Sequence, residues 1–119
     1  MASSPQHVVS FTDKVIEPAE IVTSDPAVVD RPYHARSWRY FARPELGAAA
    51  GIWEAEPHLE RVACDYDEFC HLLEGTVRLT DSQSVSRTFG PGDSFVVSAG
   101  FQGTWENLTH VRKIFFILR

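Results

Sequence analysis

The sequence predicts an all-β domain, a sandwich or a closed barrel. Three observations carry that expectation. Short strand-like pieces recur from Trp38 to Leu118, clusters of Gly, Pro and Asp separate them, and no long segment has a helical apolar period. At 119 residues the chain has room for one domain with a real core but not for two.

Taken in order, residues 1–30 read as an N-terminal arm with one or two short edge strands. Its apolar runs (Val8-Val9, Val15-Ile16, Ile21-Val22) are broken by Pro5, Pro18 and Pro26. Left wet, these runs would be costly, so the arm should pack on the barrel or on a second subunit. Residues 31–119 form the barrel. Its expected strands are Trp38-Phe41, Gly51-Glu56, Phe69-Leu73, Thr76-Thr80, Ser94-Ser98, Gly103-Glu106 and Lys113-Leu118. Turns fall at Gly75, Asp81-Ser84, Gly90-Pro91-Gly92-Asp93 and Ala99-Gly100, where Pro fixes φ and Gly permits positive φ.

Period-two alternation assigns faces. Glu68, Cys70 and Leu72 point one way, and Phe69, His71 and Leu73 the other. Both sets carry apolar groups, and Ile114-Leu118 is apolar throughout, so each strand is expected to line a barrel with one face and to lie under a second sheet or a subunit with the other. The three Trp, three Tyr and eight Phe suit a wide barrel interior or an apolar subunit interface.

Several function classes are excluded or disfavoured. The eleven Lys and Arg are scattered and the formal net charge is −5, which argues against nucleic acid. No segment has the length of a transmembrane span, and the start lacks the pattern of a signal peptide, so a cytoplasmic protein is expected. Cys64 and Cys70 then read as free thiols.

Residues Val62 to Asn107 resemble the cupin superfamily. Glu68 and Gly75 have the spacing that ends the first cupin motif, and Gly92, Gly100 and Asn107 fall on positions of the second, with Ser98 where proline is usual. The resemblance implies an RmlC-like jelly-roll barrel. The stretches Asp67-Gly75, Gly92-Phe95, Gly100-Glu106 and Val111-Lys113 look like a small single-domain branch of that superfamily. It is related to the ureidoglycine aminohydrolase cupin domain and the ethanolamine-utilisation cupins, and its members are often dimeric. The departures are informative. The positions where the family carries metal-binding histidines hold Val62, Cys64 and Gly103, so of four ligands only Glu68 matches in type. A carboxylate and one thiolate do not complete a four-ligand centre, and no metal or other cofactor is expected.

Glu68 is the candidate catalytic residue, a buried general base or the ligand of an atypical divalent metal; its structural reading is a hydrogen-bonded buried carboxylate. Cys64, Tyr66, Cys70, Trp53, Trp105 and Gln102 are candidate ligand-binding residues. Either cysteine is equally a small buried hydrophobe, and Trp105 is either a stacking wall or barrel filling. Phe95 and His71 read as packing residues, and His58 could reach the barrel mouth. The expected function is small-molecule binding in a metal-free barrel, as a homodimer. The alternative is an enzyme of ureidoglycine aminohydrolase type acting on a small substrate through Glu68.

Overall fold

The computed structural model describes residues 5–12 and 15–119; residues 1–4 and 13–14 of the arm lie outside the described residues. Ten strands form two antiparallel sheets. They are β1 (Ala19–Thr23), β2 (Tyr33–Arg43), β3 (Ala48–Ala55), β4 (His58–Ala63), β5 (Asp67–Glu74), β6 (Val77–Asp81), β7 (Ser86–Phe89), β8 (Ser94–Val97), β9 (Gln102–Asn107) and β10 (Val111–Leu118). One sheet has the order β1-β2-β3-β10-β5-β8 and the other β4-β9-β6-β7. This is the expected all-β jelly roll, closed around an apolar core with strands crossing between sheets. Among the described residues no helix is long and apolar enough to cross a membrane.

All seven expected strands are present. Three were not read as strands of the barrel from the sequence: β1 in the arm, β4 and β7. The arm is no loose appendage beyond Ala19. There β1 pairs in register with β2, Ala19 opposite Ser37 through Thr23 opposite Tyr33. Val29 is buried with Tyr33, Ala35 and Ala55, so the arm completes one end of the core. Gly92 and Gly100 adopt φ of +88° and +100°, as the turn reading requires.

The inner face is dry at one end. Cys70, Leu72, Val77 and Val111 are fully buried, and Phe89 and Phe95, their rings stacked on each other at 4.1 Å, pack against that cluster. The polar residue at this end is Asn107, whose Oδ1 accepts from the Trp105 indole N–H at 2.7 Å. Its amide donates to the Ala55 and Glu56 carbonyls, so it fixes the Trp105 ring and ties β9 to the β3–β4 turn.

On the outer face of the six-stranded sheet Phe69 (42% exposed), Phe116 and Val96 are open to solvent in the single chain, so the second sheet is not what covers them. Pairing places Val96, Phe69, Phe116, Ala50 and Phe41 in one row across five strands. Ala50 is buried within the row, but among the described residues no strand covers Val96, Phe69 and Phe116, because β4, β9, β6 and β7 form the other sheet.

Candidate functional site

A cavity of about 250 Å³ opens at the end of the barrel away from Asn107. Alternation along six strands delivers its polar and aromatic lining: Ser37 and Arg39 from β2, Trp53 from β3, Glu60 from β4, Glu68 from β5, Trp105 from β9 and Lys113 from β10. Val62, Leu79, Phe115 and Ile117 supply apolar wall.

At its centre is a buried ion pair. Lys113 Nζ donates to Glu68 Oε2 at 2.6 Å, and Lys113 is only 7% exposed. The ammonium also lies over two indoles, 4.7 Å from the Trp53 ring centroid and 4.3 Å from that of Trp105. Burial pushes the ammonium toward neutrality, but the acidic groups around it, Cys70 and then Glu68, outweigh that and hold it above the ordinary lysine range. At neutral pH Cys70 is a thiol, because burial pushes it up to about 12, so Glu68 is the effective counterion. Lys113 is thus a permanent cation fixed within the barrel.

A second polar group lies on the β4 side. His58 Nδ1 donates to the Glu56 carbonyl, which leaves Nε2 facing Glu60 Oε2 at 2.7 Å. The His58 ring stacks on Tyr33 at 3.5 Å, and the Tyr33 phenol donates to Glu60. Burial raises the Glu60 carboxyl, yet the His58 and Tyr33 hydrogen bonds and the positive charges of His58 and Lys113 bring it below the ordinary glutamate value.

The sequence-predicted residues therefore divide. Glu68, Cys64, Tyr66, Trp53 and Trp105 all line the cavity. Trp105 is a wall that leaves the space beside Glu68 open. Cys70 does not line it: the residue is fully buried beneath the ion pair, its thiol donating to Glu68 Oε2 at 3.3 Å. Gln102 is exposed at the start of β9 and faces away from the cavity, because the alternation that turns Trp105 inward turns Gln102 outward. His58 does not stand at the mouth but is held inside by Glu60. Lys113 and Glu60 were missed.

The positions that hold metal in other cupins do not form a ligand set here. Glu68 Oε2 is bonded to an ammonium, Val62 has no donor atom, and the Cys64 thiol donates to the Tyr66 carbonyl at 3.3 Å. At Gly103 the Thr80 carbonyl oxygen stands 1.9 Å from where a Cβ would be, so the backbone itself excludes a histidine. Among the described residues no group of three or more His, Cys, Asp or Glu side chains could hold a metal ion.

A two-sheet jelly roll with the glycine-turn and Glu68 register described above defines a cupin. More narrowly, residues 44–115, over half of the chain, match the family described as the EutQ-like cupin domain, and the chain belongs to that family. Solved structures agree on the fold. A protein of unknown function of the DUF861 family from Pseudomonas syringae pv. tomato superposes with a TM-score of 0.73 at 24% identity, over 83% of this chain and 44% of that one. A putative ethanolamine utilization protein Q from Salmonella typhimurium gives 0.62 at 14% identity, over 88% and 98% of the two chains. A DUF861 family protein from Thermotoga maritima gives 0.52 at 31% identity over 54% and 73%. The chain thus spans less than half the length of the Pseudomonas protein. No curated protein matches it.

Proposed function

We propose that the barrel binds a small molecule without a metal centre, the Lys113 ammonium supplying the fixed positive charge that a metal supplies in other cupins. The observation that carries this reading is the Lys113–Glu68 pair between two indoles, at the wall of a cavity that stays open. A buried charge pair costs desolvation that a hydrophobic pair would avoid, so its presence at a cavity argues for a role there rather than for stability. An enzymatic role for Glu68 as proton acceptor has less support, because the carboxylate is already committed to a permanent cation.

We also propose a homodimer through the outer face of the six-stranded sheet. The row of Val96, Phe69 and Phe116 is a contiguous apolar surface of the kind that marks an interface.

A small-molecule library screened by thermal shift in the presence of a chelator tests the binding reading. A ligand that raises the melting temperature by a few degrees, with the shift abolished by Val62→Phe, is the expected result. A shift that appears only when metal is restored would overturn it.

A further inference from the structure

Resting on the binding reading above, we infer that the ligand carries a carboxylate or equivalent small organic anion, which Arg39 receives at the mouth of the cavity. The argument begins with a census of charge. Four charged side chains line the cavity: Arg39, Glu60, Glu68 and Lys113. Glu68 is taken by Lys113 at 2.6 Å and Glu60 by His58 at 2.7 Å. Among the described residues Arg39 alone of the four has no ion-pair or hydrogen-bond partner, and it stacks on no aromatic ring. The other three are each held by a partner inside the barrel, so Arg39 is the one charged group of the lining left to meet an incoming counterion.

Local backbone aims that charge. The β2–β3 register shifts between Arg39 and Phe41, making Tyr40 the extra residue of a β-bulge immediately beyond Arg39. Bulges of this kind re-aim a side chain and recur beside ligand sites. The residue opposite Arg39 is Gly51, where the Trp38 carbonyl oxygen stands 1.8 Å from a Cβ position. No side chain can stand there to crowd the guanidinium or to pair with it. Ser37, two residues earlier on the same face, adds a hydroxyl to the same stretch of lining.

A planar guanidinium with free N–H groups matches a carboxylate through two parallel hydrogen bonds. A ligand cation would meet the opposite situation, since both carboxylates already take hydrogen bonds, Glu68 from Lys113 and Glu60 from His58 and Tyr33. The cavity is small enough that the anionic end of a compact ring compound reaches Arg39 while its body lies against Trp53 and Trp105.

Three probes of one shape and different charge test this: benzoate, benzamide and benzamidine, followed by quenching of indole fluorescence. Benzoate should bind roughly tenfold tighter than benzamide, the size of one added charged hydrogen bond. Benzamidine should bind weakest, and the benzoate advantage should shrink as sodium chloride is raised. Arg39→Gln should remove the advantage and Arg39→Lys restore part of it. Equal binding of benzoate and benzamide, preference for benzamidine, or an advantage that survives Arg39→Gln each overturns the inference while leaving a ligand-binding barrel in place. Failure of all three probes to perturb the indoles overturns the barrel reading and the inference with it. Should an Arg39 variant fail to fold, the ranking on the unaltered protein still decides between the charges.

Discussion

The two faces of the six-stranded sheet invert the usual arrangement of a soluble β protein. On β10, Lys113 points inward while Phe116 and Leu118 point to solvent; on β5, Glu68 points inward while Phe69 and Leu73 point out. A sheet serving only stability would place the apolar set inside and leave the charges wet. The inner charges survive because they are paired, hydrogen-bonded and set between aromatic faces, at a cavity. The outer apolar row survives because a second surface can cover it. That inversion is the pattern that the proposed cavity ligand on one side and the proposed partner on the other would together require.

The largest expected effect comes from breaking the inner pair. Lys113→Ala leaves the Glu68 carboxylate buried without its cation and should cost about 3–5 kcal/mol of unfolding free energy in denaturant melts. The double change Lys113→Met with Glu68→Leu should recover most of that loss, because the desolvation cost disappears with the charges. If the double variant is no more stable than Lys113→Ala, the pair is not what burial and distance make it. Next, the outer face: Phe116→Asp should convert a dimer to a monomer by light scattering with little change in ligand affinity. A wild-type protein that is monomeric at high concentration would remove the partner side of the comparison.

A smaller effect is expected with pH. The Cys70 thiol is raised by burial from 9.0 to about 12, so from pH 9 upward only the unfolded chain loses that proton. Stability from this group is complete below pH 9 and falls as pH rises toward 12, by at most about 1.4 kcal/mol per pH unit. Burial raises the Tyr33 phenol as well, so Cys70→Ala should flatten the alkaline slope without abolishing it. The least effect should come from Gln102→Ala, which should change neither ligand affinity nor stability beyond about 0.5 kcal/mol. A loss of ligand affinity there would mean that β9 presents its other face to the cavity.

Much of this architecture was legible in the sequence. Turn residues and period-two alternation marked the strands and grouped Glu68, Cys70 and Leu72 on one face; the resemblance to cupins implied that this face is inward and picked out Val62, Cys64 and Gly103 as substitutions. What the sequence hid was the partner of Glu68. Lys113 is forty-five residues away, and its strand read as uniformly apolar because attention fell on Ile114 to Leu118. The signal was nevertheless present, since Lys113 shares a face with Phe115 and Ile117, and a charge on that face calls for a partner. Glu60 was hidden for another reason. In His58-Leu-Glu-Arg-Val-Ala polar residues fall on both faces, so alternation did not show a strand. Extending the face of Val62 and Cys64 back by two residues would have found it. For the outer face the sequence left two covers open, a second sheet or a subunit, because apolar composition implies a cover without saying whether the same chain provides it.

The central claim is that an ammonium, not a metal ion, is the cation of this barrel. Elemental analysis after incubation with excess manganese, iron, nickel and zinc, followed by removal of unbound metal, tests it most directly. The account predicts far less than one equivalent of any of them, in the native protein and in Glu68→Ala alike. One equivalent of a single metal, lost in Glu68→Ala, would contradict it.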